Sequence, residues 1–174
     1  MSKNTIKLLT LLNENLLEIG DLKNIESYSI SKDTKLKYHF ISEDEDRVDV
    51  NFTLLTPLEV SRIDIPSIIN IGKIDYYFNL GYSIKGISSQ AKKSNISELL
   101  KIIKTILKIV EDFKKTYSNS AILIFEENKD ETLGITKGQK SPLYQSVVNQ
   151  NLPTNHTSKN VIYNGVEGLI ITSK

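Results

Sequence analysis

The chain has 174 residues, enough for one domain with a sizeable core, and its 22 basic and 21 acidic residues nearly cancel. That balance supplies no global field for nucleic acid or an anionic membrane, so neither is expected as a partner. There is no cysteine for a disulfide or a thiolate metal site, and no stretch of about 18 uncharged apolar residues that would span a bilayer. Glu14 and Glu18 interrupt the leucine-rich start, which makes a poor signal peptide, and a cytoplasmic setting is expected.

In chain order, Leu8, Leu9, Leu12, Leu16 and Ile19 share one helical face, and Gly20 follows where a helix stop belongs, predicting an N-terminal helix over about 5–19. From Ser27 the apolar period changes to two. Leu36, Tyr38 and Phe40 alternate with polar residues, as do Val48, Val50, Phe52 and Leu54. The run Glu43-Asp44-Glu45-Asp46 between them reads as a solvated acidic turn, and the whole as an antiparallel meander with one wet face. Pro57 and Pro66 bracket a less regular passage. Tyr76, Phe78, Leu80, Tyr82 and Ile84 then alternate again, with Gly81 a candidate bulge.

Residues 86–94 read as a loop. Asn95 and Glu98 have capping-box spacing, and Ile96, Leu99, Ile103, Ile106, Val110, Phe113 and Tyr117 follow at intervals of three and four. This predicts a helix of about six turns. Leu100, Ile102, Leu107 and Ile109 widen its stripe, so it must be covered on more than one side. Ala121 to Phe125 is unbroken apolar, the pattern of a strand buried on both faces. Residues 126–140 are polar and aperiodic, a loop. Ser141-Pro142 opens a short helix carrying Leu143, Tyr144, Val147 and Val148. Asn164-Gly165 between apolar runs predicts a closing hairpin, because both turn positions need positive φ. The expected fold is a single α+β domain over 1–174: a mixed, mainly antiparallel sheet with a long central helix, a short second helix and a C-terminal β-hairpin.

The sequence offers little chemistry. His39 and His156 lack partners at ligand spacing, and the 43–46 run lacks the alternation and glycine of a calcium loop, so no metal site is expected. No G-x-S-x-G elbow, P-loop or G-x-G-x-x-G is present. Charge is nevertheless uneven. Residues 85–117 hold eight lysines against Glu98, Glu111 and Asp112, while residues 26–75 hold six basic and ten acidic groups. Lys101, Lys104, Lys108 and Lys115 line one helix face. They read either as a solvated face or as a pole that meets Glu43, Asp44, Glu45 and Asp46 of a neighbouring copy. The face holds no arginine and no interleaved aromatics to stack bases.

The order over about residues 35–172 (strands, long helix, apolar strand, short helix with Leu143-Tyr144, hairpin) resembles the GNAT-type acetyltransferases. The resemblance implies an acyl-CoA loop of the form Q/R-x-x-G-x-G/A ahead of the long helix, its backbone amides holding the pyrophosphate. The corresponding stretch is Gln90-Ala91-Lys92-Lys93-Ser94-Asn95, where Lys93 replaces a glycine and would crowd the phosphate. It also implies a general-acid role for Tyr144. The order, with Ser141-Pro142-Leu143-Tyr144, is similar as well to small α+β proteins of tailed phages and Bacteroidetes. The reading taken is a non-enzymatic structural or interaction protein without a cofactor, a phage virion or accessory component working through assembly or self-association in the host cytoplasm or virion. The alternatives are a GNAT-type acyl-CoA-dependent N-acyltransferase with Gln90, Lys93 and Asn95 at the cofactor and Tyr144 as acid, and a small regulatory factor that binds a host protein.

Overall fold

The computed structural model describes residues 24–43, 45–85, 96–125 and 148–174. The expected N-terminal helix (5–19), Asp44, the 86–94 loop with Gln90 and Lys93, the helix cap Asn95, the 126–140 loop and the Ser141–Tyr144 helix start lie outside the described residues. Eight strands form one sheet: β1 (Ser31–Thr34), β2 (Lys37–Ile41), β3 (Arg47–Leu54), β4 (Ile63–Asp64), β5 (Tyr76–Lys85), β6 (Ser120–Phe125), β7 (His156–Tyr163) and β8 (Val166–Ser173), in the order β1-β2-β3-β5-β6-β8-β7-β4. The described residues also include the α-helical segments α1 (Pro57–Ser61), α2 (Ile96–Thr116) and α3 at residues 148–151, and a 3-10 turn at Ile71–Lys73. Among the described strands only β5 and β6 run parallel, and α2 makes the crossover that a parallel pair requires. The fold is mixed α+β, as the sequence reading expects.

The two kinds of apolar pattern map onto two kinds of strand. In β2 and β3, Tyr38, Phe40, Val48, Val50 and Phe52 are buried, while Lys37, Arg47 and other polar neighbours line the wet face. In β6 every residue from Ser120 to Ile124 is buried. Ile122 and Ile124 pack into the core under α2, while Ala121 and Leu123 pack into a second core on the other face with Ile63, Ile69, Val161 and Ile170. The unbroken apolar run thus follows from burial on both sides.

α2 buries Ile102, Ile103, Ile106, Leu107, Ile109, Val110 and Phe113. Its wide stripe has two covers: the sheet, and the 25–30 segment, where Ile25 and Ile30 pack on the core and the Tyr28 amide donates to Thr105 Oγ1 at 3.0 Å. Phe113 is the aromatic centre. Its ring stacks on Phe52 with centroids 3.8 Å apart, meets Phe78 edge-on at 4.9 Å and lies 4.7 Å from Tyr117.

Three details depart from the sequence reading. Gly81 makes no bulge, because the β3–β5 register continues unbroken through Asn51↔Gly81. The passage between Pro57 and Pro66 contains α1, closed by a complete Thr56–Glu59 capping box with proline in its first turn, and then β4 at the far edge of the sheet beside β7. The 43–46 run is not uniformly solvated: Asp46 is 2 % exposed and its amide donates to Ser42 Oγ, while Glu45 turns the chain with φ of 65°. The hairpin turn is as read, with Asn164 and Gly165 at φ of 48° and 75°.

Gly168 is needed for a close approach. A Cβ there would stand 2.7 Å from the Ile124 carbonyl oxygen and 2.4 Å from the Phe125 ring, so β6 and β8 could not meet at this register with a larger residue. Because Phe113 joins β3, β5 and α2, Phe113→Ala should lower unfolding free energy by about 3–5 kcal/mol in urea titration. A loss below about 1 kcal/mol, the size of an ordinary surface change, would mean that the core is centred elsewhere.

Candidate functional site

Three places on the molecule concentrate polar or strained chemistry: the lysine face of α2, the gap where β5 and β6 part, and the C-terminal end of α2.

The lysine face meets the acidic turn inside one chain. Lys101 Nζ lies 2.6 Å from Glu43 Oε1 and 4.5 Å from the centroid of the Tyr28 ring. The Glu43 hydrogen bond, opposed by some burial, holds the Lys101 pKa above its ordinary value. Lys108 Nζ donates to Ser27 Oγ at 3.3 Å. Lys104 is half-buried and Lys115 exposed. Of the acidic residues assigned to this pairing, Glu43 is exposed and engaged, Glu45 is exposed, Asp46 is buried, and Asp44 lies outside the described residues. Other carboxylates of the acidic half also have partners at home. Asp33 contacts His39 Nδ1 at 2.9 Å and Arg47 at 3.4 Å, Asp49 accepts from Arg47 at 2.7 Å, and Asp112 takes Lys32 at 3.3 Å. These are largely exposed pairs that steer more than they stabilise.

Beneath Lys101 lies a group of buried polar residues that reading by period passes over. The Tyr28 hydroxyl donates to Glu98 Oε2 in a short hydrogen bond, the Glu43 amide donates to the same hydroxyl at 3.4 Å, and Thr105 Oγ1 donates to the Lys101 carbonyl at 2.7 Å. Burial, reinforced by the Glu98 hydrogen bond, pushes the Tyr28 phenol well above its usual range. Glu98 fits the sequence as a cap, yet one of its oxygens anchors the 25–30 segment to the first turn of α2. The available signal was Thr105, a hydroxyl inside the apolar phase of the helix.

β5 and β6 pair only from Tyr76↔Ser120 to Asn79↔Leu123, although β5 continues to Lys85 and β6 to Phe125. The space where they part is filled by Leu80, Tyr82, Ile103, Ile106, Ile124 and Val148, leaving about 10 Å³. That is room for at most one water, in an apolar setting that would keep it dry. Asn79 Oδ1, on the last paired residue of β5, is buried without a hydrogen-bond partner among the described residues.

At the other end of α2, Lys114 is 4 % exposed and its ammonium donates to the Ser120 carbonyl at 2.5 Å, tying the end of the helix to the first residue of β6. Burial lowers its pKa to about 8. His156 is held below its ordinary value by burial and by Lys114, against the opposing pull of Glu111. Lys114 follows Phe113 in the apolar phase of the helix, and that position is the sequence signal for its burial. Among the described residues no cluster of three metal-binding side chains occurs, and no helix is long and apolar enough to cross a membrane. Comparisons with family models, curated proteins and solved structures found no match to this chain.

The Lys114 site sets a pH dependence. A lysine titrates near 10.4 when unfolded, and near 8 in this fold, so between those values the unfolded chain binds more protons and stability rises with pH. Tyr28, Tyr38 and Tyr77, raised mainly by burial, work the other way above pH 10. Urea unfolding of wild type and Lys114→Met across pH 7–11 separates the two effects: wild type should gain on the variant from about pH 8 to 10.5. A constant difference between them would show that Lys114 is solvated.

Proposed function

We propose that this chain is a non-enzymatic interaction protein that acts through assembly. The carrying observation is the distribution of exposed aliphatic side chains. Leu54, Leu58, Ile68 and Ile71 are between 52 % and 75 % exposed and all fall within residues 54–71, the passage that covers one face of the sheet. Ile41, Tyr76, Tyr82 and Ile162 are also exposed outside this segment, but the four most exposed large apolar side chains among the described residues all fall within it, and exposed apolar surface of this kind supports a contact with another protein. The docking surface is therefore this segment. The Lys101–Glu43 pair, satisfied within the chain, would tune encounter with the partner. A role as a phage virion or accessory component rests on the resemblance in element order and on Ser141-Pro142-Leu143-Tyr144.

Leu58 sits in the first turn of α1, where an aspartate is favoured by the helix dipole, so Leu58→Asp with Ile71→Asp tests the surface at small cost to the fold. Sedimentation velocity should find wild type heavier than one chain, and the double variant at the mass of one chain with an unchanged melting temperature. A wild type that stays monomeric at every accessible concentration overturns the self-assembly form of this proposal.

A second reading has one geometric support. The only parallel pair among the described strands parts after four residue pairs, beside the helix that follows β5. This reading takes the chain as a GNAT-type N-acyltransferase with Gln90, Lys93 and Asn95 at the cofactor and Tyr144 as acid. The apolar filling of the gap and Lys93 in the position of a loop glycine weigh against it. Acetyl-CoA should therefore give no heat in calorimetric titration. Micromolar binding that is lost on Tyr82→Ala would favour the transferase.

A further inference from the structure

A groove of about 410 Å³ opens on the sheet face opposite α2. Its walls are residues 68–74, the α2–β6 turn at Ser118–Ser120, and the ends of β7 and β8. The topology explains why it exists. The 55–75 passage covers Leu123, Val161 and Ile170, and beyond it the Thr157↔Thr172 row forms the floor, with Thr157 half-buried and Thr172 buried.

The lining is chemically one-sided. Lys73, Lys159 and Lys174 line it, and no aspartate or glutamate among the described residues does. None of the three lysines belongs to an ion pair among the described residues. The nearby Asp75 carboxylate is engaged by Asn119 Nδ2 at 3.1 Å. Thr157 and Thr172 add hydroxyl donors on the floor, and Ile68, Ile69 and Ile74 form an apolar wall. Lysines lining a recess without carboxylate partners favour an anion there over a cation. The volume lies in the range of small-molecule sites rather than of macromolecular interfaces.

We infer that this groove binds an organic phosphate: lysines and threonine hydroxyls take the phosphate oxygens, and the isoleucine wall takes an apolar substituent. A phosphate suits the lining better than a carboxylate because it offers more acceptor oxygens and up to two charges to several separate donors. The groove shares Ile68 with the proposed docking segment, so phosphate binding is tested on the monomeric chain; it is separate from the β5–β6 gap, which lies under α2 at the other end of β6.

The test uses the full chain with phenyl phosphate, inorganic phosphate and benzoate as probes, followed by amide chemical shifts. Phenyl phosphate should bind most tightly, with shifts centred on Ser118–Ser120 and Thr157–Lys159, and should weaken as salt rises. Lys73→Gln with Lys159→Gln should lower its affinity about tenfold or more while the circular-dichroism melt stays unchanged. The inference is overturned if phenyl phosphate causes no shifts at millimolar concentration, if the shifts centre elsewhere, if benzoate binds as well, or if the double variant binds like wild type. Should the variant fail to fold, the wild-type shift map and the order of the three probes still decide.

Discussion

Burial of β6 on both faces is the constraint on which the rest depends. A strand with every residue from Ser120 to Ile124 inside needs an apolar layer above and another below. α2 supplies the first layer. The second comes from residues 55–74, which carry only short elements such as α1 and β4 and contribute Leu55, Ile63, Ile65, Ile69 and Ile74. The strand's neighbours follow from the same requirement: β5 on one side through the α2 crossover, and β8 on the other, pressed close enough that residue 168 must be glycine. Lys114 belongs to this arrangement too. Its ammonium spans from the end of α2 to the first carbonyl of β6, and the desolvation it suffers there is an energetic cost of joining helix to strand without a longer turn.

The sequence disclosed most of this scaffold. Alternation in β2, β3 and β5, the continuous run in β6, the long stripe of α2 and the Asn164-Gly165 turn were each legible because a buried face imposes its period on residue choice. β1 was not legible because its four residues are all exposed and leave no period. β4 was not because two residues are too few to carry one. Gly81 misled because glycine is only a correlate of bulges, and here the strand passes through it in register.

Sites were less legible than elements, and for a different reason. Periodicity records what a face is buried against, while a site depends on which separate faces converge. The sequence could show that Lys101 and Glu43 carry opposite charge; only the fold shows that they belong to the same pole of one molecule. Tyr28 lies seventy or more residues from Glu98 and Thr105, and the groove draws on four separate stretches of the chain. Conversely, Lys114 and Thr105 were visible as polar letters in apolar positions. Such mismatches are where a sequence most reliably announces something other than packing.

β4 has a consequence for how the chain reaches this structure. It lies between β3 and β5 in sequence, yet in space it is at the opposite margin of the sheet, with Ile63 beside Tyr163. The passage carrying it is a strap whose far buckle is made from the C-terminal hairpin. While the chain is being synthesised, β1, β2, β3 and β5 can zip together by local pairing, but the strap has nothing to fasten to until β7 and β8 have formed. Its isoleucines stay uncovered for that whole interval, and closing so distant a contact is the slow kind of folding step. The last part of the fold to lock is therefore one of the earlier parts to be made.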